Sequence, residues 1–356
     1  MAKRPRKSRK LSPASWAWLG FTGLLLVVGV VSLLVATGSG GGRPVLPPGF
    51  DLEGHRGARG LAPENSLPGF AAALAVGVTT LEMDAVMTAD GVPVLYHDLA
   101  LHPIRTRLRG GDWLSWDEPR PPLITLSQAE LAAYDVGRIR PGTREAERFP
   151  LQLGLDGVGI PTLADAIAHG ETVSSGRIRF NIETKLSPEF PELAPSPENF
   201  AAAVIAVIRD AGVTGRASVQ SFDWRSLQAV QELAPEIATV YLTAEQDWLD
   251  NLQRGQPGPS PWTAGFDLDD YEGSVPRLVQ AAGGAVWSPH YRDLREADLE
   301  EAKRIGLAVV PWTVNDPADM ASLIESGVNG MITDYPDRLR VVMEQQGMPL
   351  PPAFGP

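Results

Sequence analysis

The chain has 356 residues, of which 44% are hydrophobic and 21% charged, a composition that excludes a disordered, collagen-like or coiled-coil protein. Its net charge is −12, and seven basic residues but no acidic ones lie within residues 1–43, so the remainder is strongly acidic. An acidic surface argues against nucleic-acid binding, which needs basic side chains. The lack of cysteine excludes disulfides, thiol nucleophiles, lipoprotein acylation and thiolate-bound metals, but it indicates no compartment.

The N-terminus joins a basic tail, residues 1–15, to a long uncharged segment, residues 16–37. Six of the first ten residues are Lys or Arg, and the next charged residue is Arg43. The segment is almost continuously apolar and about as long as a helix that spans a bilayer core of roughly 30 Å. It predicts one N-terminal transmembrane helix. The alternatives are a signal peptide cleaved near Ala36–Gly38 and a buried core helix.

The basic tail also predicts the orientation of the chain. Positive residues that flank a membrane segment usually stay in the cytoplasm. We therefore expect a single-pass membrane protein whose main domain is extracytoplasmic, or a secreted or periplasmic protein if the segment is cleaved. Residues 38–49 are rich in Gly and Pro and would form a flexible linker.

Residues 50–342 alternate short apolar runs with amphipathic stretches. The candidate strands are Phe50–His55, Thr80–Val86, Pro93–His97, Ile178–Glu183, Ala217–Ser221, Ala238–Leu242, Ala285–Ser288, Ala308–Thr313 and Gly330–Thr333. One helix begins at Ser196-Pro197 and ends at Gly212, and another begins at Asp316-Pro317 and ends at Gly327. Strands that alternate with helices pair in parallel, and this number of them predicts an α/β fold, a (β/α)8 TIM barrel.

One pair of runs should form a hairpin instead of a parallel crossover. Thr80–Val86 and Pro93–His97 are joined by too few residues for a crossover, which predicts a turn around Ala89-Asp90-Gly91. The hairpin would return the chain to the end of the barrel that it left. It would bring the end of the third run beside the acidic residues of the second.

The barrel should carry an insertion after the third strand, at about residues 99–176. This segment is rich in Pro and Arg and holds two predicted short helices, around Leu126–Tyr134 and Leu163–His169. An insert of this length is either a functional cap or a solvent-facing elaboration of the rim. A Pro-rich tail, residues 343–356, follows the barrel.

Polar residues end four of the apolar runs, and in such a barrel the carboxyl ends of the strands carry the chemistry. Glu82 and Asp84 are two residues apart and therefore project from the same face of a strand. Two carboxylates that face one interior repel each other unless a cation lies between them, and Glu183 would supply a third oxygen ligand. This set predicts one divalent cation, Mg²⁺ or Ca²⁺. Two histidines and two basic residues complete the candidate site: His55, His97, Arg56 and Lys185.

Six stretches in these regions resemble the glycerophosphodiester phosphodiesterase family and follow the family's order. They are HRGARGLAPENSLPGF (His55–Phe70), LEMDAVMTADGVPVLYHD (Leu81–Asp98), NIETK (Asn181–Lys185), QSFDW (Gln220–Trp224), PWTVND (Pro311–Asp316) and GMITDYPD (Gly330–Asp337). The resemblance covers the chain from about Phe50 to Leu339. It implies a TIM barrel that hydrolyses glycerophosphodiesters, such as deacylated phospholipids, to glycerol 3-phosphate and an alcohol.

The resemblance also implies a role for each candidate residue. Acid/base catalysis falls to His55 and His97, metal binding to Glu82, Asp84 and Glu183, phosphate contact to Arg56 and Lys185, and pocket lining to Gln220 and Trp312. Ser66 stands where the family often has Thr, a mild change. One histidine would deprotonate the nucleophile, which is water or the glycerol 2-hydroxyl, and the other would protonate the leaving alkoxide.

Two other functions are open on the sequence. A phosphodiesterase of intact (lyso)phospholipids, of the lysophospholipase D or phospholipase C type, would suit a membrane anchor. A non-catalytic module that binds glycerophosphodiesters would lack one of the histidines or acids, and all of them are present. The expected partners are a small-molecule substrate and a membrane, without nucleic acid.

Overall fold

A computed structural model describes Leu46 and residues 49–355. The basic tail, the predicted transmembrane segment and most of the predicted linker lie outside these residues. Within the described part of the chain, no helix is long and apolar enough to cross a membrane.

Eight parallel strands and one antiparallel strand form the main sheet, and helices connect most of the parallel strands. The strands are β1 (Asp51–Gly54), β2 (Thr80–Met87), β3 (Pro93–Leu95), β4 (Arg107–Leu108), β5 (Tyr134–Asp135), β6 (Arg179–Thr184), β7 (Ala217–Ser221), β8 (Ala238–Thr243), β9 (Glu245–Gln246), β10 (Leu249–Asp250), β11 (Val286–Pro289), β12 (Ala308–Val309) and β13 (Gly330–Thr333). The α-helices are α1 (Leu67–Val76), α2 (Gln128–Leu131), α3 (Arg144–Arg148), α4 (Leu163–Ser174), α5 (Pro197–Asp210), α6 (Trp224–Leu233), α7 (Val275–Ala281), α8 (Glu296–Ile305), α9 (Pro317–Glu325) and α10 (Pro336–Gln345).

The parallel strands form a nearly closed barrel, in the order β12-β11-β8-β7-β6-β2-β1-β13. Backbone hydrogen bonds join the two end strands, from Asn329 N to Val309 O (2.8 Å) and from Ile332 N to Pro311 O (3.0 Å). The predicted TIM barrel is therefore confirmed. Its strands all end at one rim, which we call the mouth.

The interior of the barrel is divided into a polar and an apolar half. On the polar side, Asn181 Nδ2 donates to Glu53 (2.8 Å) and Gln220 (2.9 Å), and Gln220 Nε2 donates to Glu82 (2.7 Å). These residues belong to β6, β1, β7 and β2. The opposite side, formed by β8, β11, β13 and the residue that follows β12, is packed with buried aliphatic side chains: Val240, Val286, Val310 and Ile332. Polar residues line the half that leads to the candidate site.

The predicted hairpin is confirmed, and most predicted strands agree with the structure to within two residues at each end. β3 pairs antiparallel with β2, with Ala85 opposite Leu95. The last part of the run predicted as Ala308–Thr313 differs, because β12 ends at Val309. Pro311 has no N–H group and cannot continue a regular ladder, although Trp312 N still donates to Pro289 O at 3.0 Å.

The segment predicted as an insert begins as a small structure of its own. It contains β4, β5, α2 and α3, and its apolar residues pack onto the β2–β3 hairpin through buried side chains such as Tyr96 and Leu101. Helix α3 was not predicted. The end of the segment is helix α4, which is longer than the predicted helix around Leu163–His169 and packs against α1 and α5. It supplies the crossover that lets β6 pair parallel to β2.

The Pro-rich tail packs onto the barrel through Phe354, near the end of the tail. Phe354 is buried, its backbone N–H donates to Leu74 O at 2.8 Å, and the Arg177 guanidinium lies 4.7 Å from the centre of its ring. These contacts attach the tail to α1 and to the segment before β6.

Candidate active site

A tight turn after β1 places the first candidate residues. Arg56 (φ 50°) and Gly57 (φ 91°) both lie in the left-handed region. A Cβ atom on Gly57 would lie 2.6 Å from the backbone carbon of Gly69, so the position requires glycine. The turn directs the backbone N–H of Arg56 to Glu82 Oε2 at 2.7 Å. The His-Arg-Gly sequence therefore joins the end of β1 to a predicted metal ligand on β2.

The three predicted metal ligands lie together. Glu82, Asp84 and Glu183 are buried, and each offers a carboxylate oxygen within 4.8 Å of those of the others. Strands β2 and β6 pair with Asp84 opposite Glu183, and Glu82 shares the face of Asp84 because they are two residues apart. The three side chains therefore converge on one point.

The electrostatics of this cluster fit a bound cation. Burial, with the charges of Asp84 and Glu183, raises the pKa of Glu82 well above its usual value. Burial and Asp84 likewise raise the pKa of Glu183 to about 7, against the opposing effect of Lys185. Asp84 Oδ1 is buried, and it is partnered by the Lys185 ammonium at 3.0 Å without a further hydrogen bond. An all-oxygen set with this much mutual repulsion suits a hard divalent ion such as Mg²⁺ or Ca²⁺.

Two basic residues share the carboxylate cluster. Lys185 Nζ lies 2.7 Å from Glu183 Oε1 and 3.0 Å from Asp84 Oδ1. Arg56 Nε lies 3.0 Å from Asp84 Oδ2, and Arg56 Nη1 donates to Glu64 Oε1 at 3.0 Å. Although burial acts in the opposite direction, Lys185 and Arg56 hold the pKa of Asp84 well below its usual value. The predicted phosphate-binding residues are thus at the site, each paired with an acid.

His55 is anchored by an acid that directly follows the last strand. Its Nδ1 lies 2.6 Å from Asp334 Oδ1, and Asp334 Oδ2 accepts a hydrogen bond from Asn315 Nδ2 at 2.7 Å. Burial lowers the pKa of His55, although Asp334 acts to raise it. A neutral His55 with its proton on Nδ1 leaves Nε2 free to exchange a proton with a substrate.

His97 is held in the same way by its neighbour. Its Nδ1 lies 2.8 Å from Asp98 Oδ1, and Arg105 NH1 donates to Asp98 Oδ2 at 3.1 Å. Burial, followed by the charges of Arg56 and Lys185, lowers the pKa of His97 to about 3. Arg105 belongs to the insert, so the insert contributes directly to the support of a candidate catalytic residue.

The two predicted pocket residues occupy different places. Gln220 is buried inside the barrel, where its Nε2 donates to Glu82 Oε1 at 2.7 Å, so it supports a metal ligand. Trp312 is half-buried at the mouth, and its indole N–H donates to Ser288 O at 2.9 Å. Gln220 therefore contacts the carboxylate cluster directly, whereas Trp312 contacts other residues of the mouth.

Comparison with known proteins identifies the family. Residues 55–338 match the model of the glycerophosphoryl diester phosphodiesterase family. The chain belongs to this family.

Individual relatives agree with this assignment. A glycerophosphodiester phosphodiesterase from Bacillus subtilis (strain 168) is 26% identical over 88% of this chain and 94% of its own length. The crystal structure of a candidate glycerophosphoryl diester phosphodiesterase from Silicibacter pomeroyi DSS-3 has 34% identity and a TM-score of 0.75, covering 86% of this chain and 97% of that one. An Oleispira antarctica phosphodiesterase, solved with the product sn-glycerol-3-phosphate, shares the fold with 22% identity and a TM-score of 0.59, covering 83% and 97% of the two chains. The protein is therefore an enzyme, a phosphoric diester hydrolase of the glycerophosphodiester phosphodiesterase type.

Sequence reasoning missed several residues that support the site of this phosphodiesterase. Asn65 donates to Asp84 Oδ2 at 2.7 Å and accepts from Asp84 N at 3.0 Å, which fixes that ligand. Asp334 and Asp98 orient the histidines. Asp98 directly follows His97, and Asp334 follows β13, so a search for acids at strand ends could have found both. No comparable signal pointed to Arg105.

We expect Asp334→Asn to impair catalysis without unfolding the enzyme. Asn315 donates to Oδ2 of Asp334, so the amide oxygen of the variant should stay on Asn315 and its NH2 group should face His55. His55 would then carry its proton on Nε2, which is the wrong tautomer for a proton acceptor. The kcat value should fall by at least about 10²-fold, with little change in KM.

The tautomer can be read independently by ¹⁵N NMR of the histidine ring. Asp316→Asn is the matched control, because Asn and Asp are equivalent N-caps and Asp316 caps α9. A kcat value that Asp334→Asn leaves unchanged would contradict the role of this carboxylate.

Proposed function

We propose that the enzyme hydrolyses glycerophosphodiesters to glycerol 3-phosphate and an alcohol, using one divalent cation and two histidines. The observation that carries this proposal is the arrangement of the mouth. Two histidines, each with Nδ1 on a carboxylate, lie at the ends of β1 and β3, next to three converging carboxylates on β2 and β6. The product complex of the Oleispira antarctica relative, which has the same fold, agrees with a glycerophosphodiester substrate.

The residues around the phosphate would provide charge stabilisation. Glu82, Asp84 and Glu183 would hold Mg²⁺ or Ca²⁺, which supplies positive charge to the non-bridging phosphate oxygens. Arg56 and Lys185 add positive charge at the same place. Acidic neighbours raise the pKa of Lys185 against the effect of burial, so its ammonium group remains charged. These groups oppose the negative charge that builds up when a nucleophile attacks phosphorus.

The two histidines would transfer protons on opposite sides of the phosphorus. One Nε2 accepts the proton of the attacking hydroxyl, of water or of the glycerol 2-hydroxyl, as the new P–O bond forms. The other donates a proton to the alcohol oxygen as the old P–O bond breaks. A cyclic phosphate formed by the 2-hydroxyl would be opened by water in a second step of the same kind. Asp334 and Asp98 keep both rings in position throughout.

The alternative substrates are not favoured. The relatives described above are glycerophosphodiester phosphodiesterases or phosphodiesterases, and none is named for intact (lyso)phospholipids. For location, we propose a single-pass protein with an extracytoplasmic barrel, on the strength of the basic tail and the uncharged segment after it. The test is to add protease to intact cells whose outer envelope has been removed. An extracytoplasmic barrel should be digested, and a barrel that stays protected would contradict this location.

We expect activity to require a divalent cation held by the three carboxylates. Chelation should abolish turnover, and Mg²⁺ or Ca²⁺ should restore it. Glu82→Ala, Asp84→Ala and Glu183→Ala should each abolish turnover and weaken cation binding in calorimetry. The fold should remain, because removing one of several clustered carboxylates relieves repulsion in the metal-free state.

Glu325→Ala is the matched control for the acidic variants, because Glu325 is exposed and ends α9 just before the start of β13, at the end of the barrel opposite the mouth. Full turnover in excess chelator, or unchanged cation binding in the triad variants, would show that the carboxylates have a structural purpose instead.

We expect that substrates with different leaving groups will distinguish the histidine that acts as the acid from the one that acts as the base. Replacing His55 or His97 by Ala should lower kcat by about 10²–10⁴-fold on an alkyl diester, with a smaller effect on KM. A p-nitrophenyl ester releases p-nitrophenolate, which departs without protonation. On that ester, loss of the acid histidine should matter much less than loss of the base.

Steady-state kinetics on both esters provide the test, with circular dichroism to verify the fold of each variant. Equal impairment of the two variants on the p-nitrophenyl ester would argue against a division into acid and base. A histidine whose replacement leaves kcat unaltered has no part in proton transfer.

A further inference from the structure

A cluster of aromatic rings occupies the half of the mouth opposite the charged residues. We call Phe222, Trp248, His290 and Trp312 the aromatic rim. Trp312 lies at its centre, with ring centroids 5.2 Å from Phe222, 5.3 Å from His290 and 6.0 Å from Trp248. Each of these rings stands at 73° to 79° to the plane of Trp312. Two perpendicular rings at this spacing form a corner, and one ligand in that corner can contact a face of each ring.

The aromatic rim adjoins the site of hydrolysis. Phe222 follows β7, His290 follows β11 and Trp312 follows β12, so all three lie at the mouth. Phe222 is two residues beyond Gln220 and lies just past the end of β7. Gln220 contacts Glu82, so the rim begins two positions after a residue that contacts a predicted metal ligand.

Trp248 is held over the mouth by a small hairpin. It lies in the turn between β9 and β10, and its side chain is 61% exposed although its ring centre lies 5.8 Å from that of His290. The hairpin is fixed by Asp293, which accepts hydrogen bonds from Glu245 N (2.8 Å) and Gln246 Nε2 (2.5 Å). Trp248 therefore presents an open ring face without a large ordering cost on binding.

Elsewhere in the described chain, arginines lie over aromatic rings, but none lies over the rim. Guanidinium groups cover Trp113, Trp116, Phe149, Tyr291, Tyr335 and Phe354. The rim is thus a set of aromatic faces that lacks a cation from the described residues. Burial lowers the pKa of His290, which keeps its ring neutral, and the carboxylate of Asp293 lies 3.7 Å from His290 Nδ1. Both features favour a positively charged ligand.

We propose that the aromatic rim binds the trimethylammonium group of choline, which makes glycerophosphocholine the preferred substrate. The inference rests on the proposed function. A quaternary ammonium is attracted by aromatic faces and donates no N–H hydrogen bonds. Ethanolamine, glycerol and inositol carry N–H or O–H groups that need partners, and the carbon faces of the rim supply none, although His290 Nδ1 is a buried nitrogen without a hydrogen bond. The Trp312 indole N–H already donates to Ser288 O (2.9 Å), and Ser288 Oγ donates to Val310 O (2.5 Å).

The test compares two diesters of the same shape that differ in charge. One is glycerophosphocholine, and the other is its neutral 3,3-dimethylbutyl isostere, in which carbon replaces the quaternary nitrogen. The kcat/KM value of the full chain should be about 10-fold higher for the choline diester, which is the size expected of a partly desolvated cation–π contact. Glycerophosphoglycerol serves as the reference substrate for turnover.

Trp248→Ala should bring the ratio of choline to isostere activity close to one, and Trp248→Phe should retain most of the preference. Trp116→Ala is the matched control. Trp116 is also an exposed tryptophan, at 51%, but it lies in the insert and is covered by Arg140, so its loss should leave the ratio unchanged. Thermal melting verifies that each variant is folded.

Equal kcat/KM values for the choline diester and its isostere would overturn the proposal, as would a ratio that Trp248→Ala leaves intact. A preference for the isostere would assign the rim to an apolar group instead. If no diester were turned over, the proposed function would fail separately. Tryptophan fluorescence with choline and with 3,3-dimethylbutan-1-ol would then decide the inference, which requires tighter binding of choline and is overturned by equal binding.

Discussion

The structure of the site depends on one constraint, the burial of three carboxylates within 4.8 Å of one another. Such a cluster repels itself, and each neighbouring feature offsets part of that repulsion. The turn at Gly57 gives Glu82 a backbone N–H, Asn65 binds Asp84, and Lys185 pairs with Asp84 and Glu183. Cations and hydrogen-bond donors are therefore concentrated where a phosphodiester would bind. The same charges that make the cluster costly make it suited to an anion and a divalent ion.

The division of the barrel interior explains how one mouth can hold both charged and apolar groups. The hydrogen bonds from Glu53 through Asn181 and Gln220 to Glu82 connect the polar half of the interior to the metal ligands. Burial and the charge of Asp51 raise the pKa of Glu53 well above its usual value, so the surroundings of this interior acid disfavour its ionisation. Trp312 packs against the aliphatic half of the interior, and the other rings of the aromatic rim pack around Trp312.

Much of the fold and the core of the site could be predicted from the sequence because they follow local rules. Alternation places Glu82 and Asp84 on one face, and parallel pairing brings Glu183 to them. Contacts between distant segments could not be predicted in this way. Asp334 meets His55 across 279 residues, and Arg105 reaches Asp98 from the insert. Trp248 was missed because β9 and β10 have two residues each, too short for a periodic pattern to indicate a strand.

The central claim is that a hydroxyl bound at the mouth attacks phosphorus, so that the P–O bond to the alcohol breaks and glycerol 3-phosphate is the phosphorylated product. Phosphorus-31 NMR of glycerophosphocholine turnover in water enriched in oxygen-18 tests it most directly, because the isotope shift shows which product receives the solvent oxygen. The account predicts sn-glycerol 3-phosphate as the phosphorylated product, with the label in its phosphate group, and unlabelled choline. Phosphocholine as the product, or label in the alcohol, would contradict it.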